Sequence, residues 1–202
     1  MAGVVGWVDF ETADAADQIA ERASQPGLIG LRPMIQDLPE RDWMLGASIA
    51  PAIEAMVKAA LRFDALVTPV HLPVLAVFAR RNPDLMIAIN HGGKPDIAAG
   101  AHDAWARETA ALAAAANTVC KLSGLVTEAA ANPSRAELRP YVDTLLETFG
   151  PERLMWGSDW PVLNLNGDYA SWRADAESLL RGLSKSEADL VFGGTAAAFY
   201  GV

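Results

Sequence analysis

LMIAINHGGKPD, residues 85–96, is the stretch that decides the fold. Its first five residues are continuously apolar, which is typical of a strand that is covered on both faces. Asn90 and His91 follow at once, then two glycines and Lys94. The stretch therefore predicts a buried strand that ends in a cluster of polar side chains.

Short apolar runs of this kind recur along the chain and alternate with stretches of helical length and composition. The runs are VVGWV (4–8), LIGLR (28–32), DALVT (64–68), LMIAIN (85–90), TVCKLS (118–123) and RLMWG (153–157). The predicted helices are Ala13–Ser24, Ile49–Leu61, Leu72–Arg81, Asp103–Ala115, Ser134–Phe149, Tyr169–Leu183 and Lys185–Phe199. Alternation at roughly thirty residues per unit predicts a parallel sheet of βα units. No linker or charge block interrupts the pattern, so residues 1–202 are expected to form a single domain.

The composition excludes several classes of partner. The chain has 202 residues, of which 51% are hydrophobic and 20% charged, as in a globular protein. A net charge of −9 argues against nucleic acid and against an anionic membrane surface. Cys120 is the single cysteine, which leaves no internal disulfide and no thiolate metal cage. No run has transmembrane length and the first residues lack a signal-peptide pattern, so a cytoplasmic location is expected.

Two arrangements of a parallel sheet compete. A doubly wound open sheet that binds a nucleotide would normally carry a glycine-rich phosphate turn, and the sequence has neither G-x-G-x-x-G nor a Walker loop. A (β/α)8 barrel takes eight units and about 250 residues, with its polar residues gathered where the strands end. This chain offers six units.

Polar side chains do follow the predicted strands. They are Arg32, Asn90, His91, Lys121, Ser123 and Asp159. If the strands are parallel neighbours, these side chains share one rim, which is the functional face of such a sheet.

Three of these residues have a structural alternative. A lone histidine is usually a satisfied core residue, but His91 precedes two glycines, where a backbone can approach a ligand closely, and this favours function. Asp159 could cap a helix, yet the next predicted helix begins about ten residues later, which weakens that reading. Arg32 is equally suited to pairing with Asp37 or Asp42 and to anchoring an anionic or hydroxylated substrate.

Other candidates remain open on the sequence alone. His71 falls just past its strand and beside a helix start, where a structural role is favoured. The side chains of Trp43, Trp156 and Trp160 are either core residues or an apolar wall for a ligand. Lys121 alternates with apolar neighbours along its strand, and the pattern leaves open which face it takes.

The assembled residues resemble a known family. The matching stretches, in chain order, are VVGWVDF, GLRPMIQDLPERDW, HLPVLAVFARRNPDL, NHGGKPDIAAG, CKLSGLVTEA, FGPERLMWGSDWP and VFGGTAAAFY. Together they resemble the amidohydrolase-related (amidohydrolase 2) family, in the branch that holds sugar-lactone and 2-pyrone-4,6-dicarboxylate lactonases. The resemblance implies a (β/α)8 TIM barrel with its active site at the carboxyl ends of the strands.

The resemblance also implies roles for individual residues. Asp159 matches the aspartate that ends the last strand, which acts as general base and binds the metal in members that carry one. His91 matches the histidine that polarises the substrate carbonyl or activates water. Arg32 matches the fourth-strand position that holds the substrate's oxygens, and Trp160 is expected to help hold the substrate. His71 lies near the histidine that many members use after the fifth strand, displaced past a Thr-Pro-Val step, and is expected to contact substrate. The implied cofactor is one divalent metal, zinc or manganese, weakly held or absent in this chain.

The sequence departs from the family pattern at its start. The family begins with a strand that ends in His-x-His, and this chain contains no such pair. With LMWGSDWP (154–161) as the eighth strand, VVGWV becomes the third. The implied fold is therefore an N-terminally incomplete barrel with about six of eight βα units. Asn90 stands where relatives often have aspartate, and Thr195 where asparagine is expected.

The implied function is a hydrolase, metal-assisted or metal-independent, that opens a small sugar-acid lactone. Its partner is then a small-molecule substrate, and the activity of this chain is expected to be low or absent because two βα units are absent. Open strand edges also predict self-association, as a homo-oligomer. The alternatives are a metal-dependent decarboxylase or amide hydrolase of the same superfamily, and a non-catalytic barrel fragment.

Overall fold

The computed structural model describes residues 2–202, and six strands form its one sheet. The strands are β1 (Val4–Gly6), β2 (Leu28–Leu31), β3 (Arg62–Ala65), β4 (Ile87–Ile89), β5 (Thr118–Leu122) and β6 (Leu154–Trp156). They pair in chain order, and every pair is parallel. A doubly wound sheet would reverse its strand order at a switch point, so this order confirms the barrel type of the α/β class.

Helices follow the strands as the alternation predicts. They are α1 (Ala15–Ala23), α2 (Ala50–Lys58), α3 (Leu72–Arg81), α4 (His102–Ala113), α5 (Arg135–Phe149), α6 (Tyr169–Leu179), α7 (Lys185–Asp189) and α8 (Thr195–Tyr200). The predicted last helix is divided, because a π-helical turn at Leu190–Gly194 separates α7 from α8 and the backbone of Gly193 leaves the helical region there. Within residues 2–202, none of the helices combines the length and apolar character needed to cross a membrane.

Strand β3 begins two residues and ends three residues earlier than the sequence predicts. The predicted run begins at Asp64, whereas the strand begins at Arg62 and ends at Ala65. The ladder stops there because the carbonyl of Leu66 accepts a hydrogen bond from the backbone N–H of Gln36 (3.0 Å), in the loop after β2.

The two faces of the sheet carry different cores. One side of the strands packs against the helices and supplies the main core, to which Phe63, Ile87, Ile89, Cys120, Leu122 and Leu154 belong. The alternate residues face inward, where Ala88, Val119 and Met155 form a small second cluster with Phe199 of α8. Because both faces are covered, most strands are continuously apolar in sequence.

The sheet has six of the eight βα units of a (β/α)8 barrel. Within the described residues, β1 and β6 each pair with a neighbour on one side only. The order of the units and the inward packing of α8 are those of a barrel wall rather than of a flat open sheet.

Close pairing of β2 with β3 depends on Gly30. A Cβ atom at this position would lie 2.6 Å from the backbone carbonyl oxygen of Arg62, its partner in the ladder. We expect Gly30→Ala to lower the free energy of unfolding by roughly 1–3 kcal/mol, because the strands must separate to admit the methyl group. Urea denaturation measures this.

Gly182→Ala is the matched control, since a Cβ atom there meets nothing within 4 Å. Its free energy of unfolding is expected to stay within about 0.5 kcal/mol of the wild-type value. Equal midpoints for the two variants would contradict the close β2–β3 approach.

Candidate active site

Three strand ends bring His91, Ser123 and Asp159 together. His91 lies in the turn after β4, Ser123 directly follows β5, and Asp159 lies in the loop after β6. The Nδ1 atom of His91 is 2.9 Å from the Ser123 hydroxyl, and its Nε2 atom is 3.5 Å from Oδ1 of Asp159. The histidine and aspartate side chains are only 16% and 9% exposed, so the contact is sheltered from bulk water.

Both His91 and Asp159 have left-handed backbone conformations, with φ of 54° and 58°. Such values are uncommon for residues with a Cβ atom and concentrate at functional sites. After His91, the chain continues through Gly92, whose carbonyl accepts a hydrogen bond from the indole of Trp105 on α4 (2.8 Å). This bond ties the turn to the helix layer and holds the strained conformation.

The ring of His91 packs directly against Gly124. A Cβ atom on that glycine would lie 2.6 Å from His91 Cβ and 2.9 Å from Nδ1, and its own φ is +70°. Ser123 and Gly124 therefore form a seat for the imidazole that a larger residue at position 124 would block. This explains the Ser-Gly pair in the sequence stretch CKLSG.

Burial and nearby cations keep His91 neutral. Burial is the largest cause, and the charges of Lys121, Arg32 and Lys94 add to it, so that the pKa of His91 falls to about 3. At neutral pH the contact with Asp159 is therefore a 3.5 Å approach of a neutral imidazole to a carboxylate and not an ion pair.

The neutral state of His91 determines which of its two ring nitrogens donates and which accepts. An ionised carboxylate can only accept, and it would repel a lone pair on the nitrogen that faces it, so the neutral ring is expected to carry its proton on Nε2, 3.5 Å from Asp159. Nδ1 is left as an acceptor, and the hydroxyl of Ser123 donates to it. His91 thus presents an N–H group beside the carboxylate, where a substrate oxygen could also receive it.

The surroundings of Asp159 act on its pKa in both directions. Burial raises its pKa, whereas a hydrogen bond from the Thr127 hydroxyl (3.4 Å) and the charge of Lys94 oppose the rise. The ammonium of Lys94 is itself held by Glu128 (3.2 Å) and by the side-chain oxygen of Gln36 (3.1 Å). The sequence interpretation missed Thr127 and Glu128, although both lie in the family-like stretch CKLSGLVTEA.

Arg32 lies at the predicted rim, directly after β2. Its backbone N–H continues the ladder to Gly6 (2.9 Å), and its half-buried side chain is among the cations that act on His91 and Asp159. Within residues 2–202 its guanidinium makes no ion pair. The structure therefore does not contain the predicted alternative, in which Arg32 pairs with Asp37 or Asp42.

The other two predicted substrate contacts lie in different surroundings. Trp160 follows Asp159 and is 66% exposed, available as a wall on the open side. His71 is 5% exposed, and its Nδ1 atom contacts the hydroxyl of Thr68 (2.9 Å) as part of a cap on the turn before α3. This gives His71 a structural contact, and its role in substrate binding stays a prediction.

The described residues do not complete a metal site. Across residues 2–202, no group of three or more His, Cys, Asp or Glu side chains is placed to hold an ion. His91 and Asp159 would supply two ligands, and a catalytic zinc takes three protein ligands. The donor set present thus falls short of the metal centre that the resemblance implies.

Comparison with known proteins extends the likeness over the chain. Residues 1–202 match the family model described as "Amidohydrolase". An L-fucono-1,5-lactonase of Burkholderia ambifaria is 48% identical over 204 residues, covering 99% of this chain and 70% of that protein. An L-fucono-1,5-lactonase of Burkholderia multivorans is 36% identical over 213 residues, covering 99% and 71%. A crystal structure of an amidohydrolase from Burkholderia multivorans with bound zinc has a TM-score of 0.95 at 34% identity, covering 100% of this chain and 74% of that one.

Acid should destabilise the fold through His91. Between pH 6.5 and about 3, the unfolded chain binds a proton on this residue that the folded chain does not, so the free energy of unfolding falls as the pH falls. The slope from this group is at most about 1.4 kcal/mol per pH unit. Asp159, whose pKa is raised, acts in the opposite direction as it protonates.

Urea denaturation at about pH 7 and about pH 5 measures the effect. We expect His91→Gln to lose less stability on acidification than the wild type, because the residue that titrates only in the unfolded state is gone. His102→Gln, at the start of α4 outside the site, serves as the control and should follow the wild type. An acid dependence that His91→Gln leaves unchanged would refute the neutral buried histidine.

Proposed function

Because this chain belongs to the amidohydrolase family, we propose that it is a hydrolase that opens a small sugar-acid lactone. The observation that carries the proposal is the sheltered 3.5 Å contact between a carboxylate and a neutral imidazole at the carboxyl ends of two parallel strands. The names of the two Burkholderia lactonases support a cyclic ester as the substrate.

Asp159 is the general base of the proposed reaction. It takes a proton from water as the water oxygen forms a bond to the lactone carbonyl carbon, which gives a tetrahedral intermediate. The intermediate collapses when the bond between the carbonyl carbon and the ring oxygen breaks, and Asp159 returns its proton to that oxygen. Burial raises the pKa of Asp159, which brings it closer to the range suited to this exchange.

His91 stabilises the charge that develops on the carbonyl oxygen. Its Nε2–H is a preorganised donor in a partly water-excluded site, where a hydrogen bond to an oxyanion is strongest. Because its pKa is about 3, the ring is neutral at neutral pH, and a neutral ring carries one N–H group with which it can donate this hydrogen bond. Ser123 and Gly124 hold the ring in the orientation that the step requires.

The proposal also covers the substrate contacts, the metal, the domain organisation, the location and the oligomeric state of the chain. Arg32, Trp160 and His71 hold the substrate oxygens and ring. One divalent metal, zinc or manganese, weakly held or absent in this chain, would act as a Lewis acid on the substrate carbonyl when bound, with Asp159 among its ligands. A single domain over residues 1–202, a cytoplasmic location and self-association through the edges at β1 and β6 belong to the same proposal.

Lactone opening can be tested by acid release. We expect the chain to open L-fucono-1,5-lactone faster than the spontaneous rate, recorded with a pH indicator, and to leave carboxylated aromatic rings unchanged. The rate should be low beside that of the Burkholderia ambifaria relative, because the sheet of this chain has six strands. Asp159→Asn should lose about 10²-fold or more and fall to the background.

Asp168→Asn is the matched control on the same loop. Its side chain caps α6 by accepting from the backbone N–H of Ser171 (3.0 Å), and asparagine is an equally good cap. The control is expected to keep wild-type activity. Reaction of the aromatic carboxylates alone, no rate above background, or full activity in Asp159→Asn would each refute the lactonase proposal.

A further inference from the structure

A buried polar cluster on the inner face of the sheet is not used by the proposed reaction. Asp64 of β3 is 1% exposed, and its two oxygens have different partners. Oδ2 pairs with the ammonium of Lys121 on β5, and Oδ1 accepts a hydrogen bond from the hydroxyl of Tyr200 on α8 (2.7 Å). Burial and the negative charge of Asp64 raise the pKa of Tyr200, so the phenol keeps its proton and remains the donor.

The end of α8 is fixed to this face by two cations. The rings of Phe199 and Tyr200 meet edge to face at 4.8 Å. Arg62 lies 5.6 Å from the centre of the Phe199 ring and donates to the carbonyl of the same residue, and Lys121 lies 5.6 Å from the centre of the Tyr200 ring. Such cation–π contacts favour a fixed geometry where the cation is partly desolvated. The end of α8 therefore positions the ammonium of Lys121 as well as packing against the sheet.

Lys121 connects this cluster with the active site. It lies on β5 two residues before Ser123, which directly follows the strand, and the alternation along the strand places both on the same face. Its side chain is 22% exposed, and one of its three N–H donors is taken by Asp64. Among the described residues Asp64 is the hydrogen-bond partner of this ammonium, and the positive charge of Lys121 lowers the pKa of His91, so the ammonium acts on the group that the substrate is proposed to contact.

We propose that Lys121 is an anion-binding residue of this site, which holds the carboxylate of the ring-opened sugar acid, and that Asp64 and Tyr200 position it. The lactone is uncharged and its opening creates a carboxylate, so a cation on the inner face beside the site acts on the product more than on the substrate. A cation with an oriented partner binds a carboxylate by charge-assisted hydrogen bonds. The role of the carboxylate as product rests on the proposed function, whereas the anchoring of Lys121 does not.

Binding of L-fuconate, measured by calorimetry on the full chain, tests the proposal without turnover. The variant Asp64→Asn/Lys121→Met removes both charges together, so neither is left buried without its partner. We expect its dissociation constant for L-fuconate to rise about tenfold or more. A double variant that folds and binds the acid like the wild type overturns the proposal, and so does a wild type that binds no acid.

The positioning role of Tyr200 has its own variant. Tyr200→Phe keeps the ring beneath Lys121 and removes only the hydroxyl that holds Asp64, and we expect about threefold weaker L-fuconate binding. Tyr169→Phe, on a tyrosine that is 53% exposed, is the control and should bind like the wild type. Unchanged binding in Tyr200→Phe would show that the phenol is only structural and would overturn the positioning claim.

The outcomes separate the two proposals. Weaker binding in the double variant together with no lactone opening by the wild type would support the anion site and refute the lactonase function. Lactone opening by the wild type with unchanged L-fuconate binding in the double variant would do the reverse.

Discussion

The register of the parallel ladder across β4, β5 and β6 determines where every candidate catalytic group lies. Ile89 pairs with Cys120, and Cys120 pairs with Leu154, so β5 and β6 end together and β4 ends two residues before them. Because parallel strands run in the same direction, the residues that follow them emerge at one edge. His91 and Asp159 can meet only because this register is kept. A slip of one residue in β5 would exchange the faces of Cys120 and its neighbours and remove the seat of the imidazole.

The same alternation separates an apolar layer from a polar interior. Toward the helices the strands present branched and aromatic side chains, while the inner face carries Asp64 and Lys121 beside small or flexible apolar residues. A buried carboxylate is tolerated only with partners, and here it has an ammonium and a phenol. The inner face thus combines a buried charge pair with apolar packing against α8.

Much of this arrangement could be predicted from the sequence, because a βα unit has a simple pattern. Six apolar runs followed by helical stretches gave the number and order of the strands, and the residues after them gave the rim. The contact of His91 with Asp159 follows from that placement. The seat at Gly124 could not be predicted in detail, because a close approach to a ring depends on three-dimensional packing that no local pattern encodes.

Other features had no local signal. TVCKLS is almost continuously apolar, so periodicity could not assign a face to Lys121, and only the neighbouring strands settle that it faces inward. The bounds of β3 depend on a hydrogen bond from a residue in the loop after β2, which is remote in sequence. Thr127 and Glu128 act from a loop, where propensity says little about which side chain reaches the site.

His91 and Asp159 both have strained backbone conformations, and cations lie near both side chains. They bring a neutral donor and a buried carboxylate to the same point, and each needs the other in a defined protonation state. The nitrogen-15 chemical shifts of the imidazoles at neutral pH measure this most directly, with His71→Gln and His102→Gln used to assign the three histidines. We expect His91 to be a neutral ring with its proton on Nε2. A protonated imidazolium, or a neutral ring with its proton on Nδ1, would contradict it.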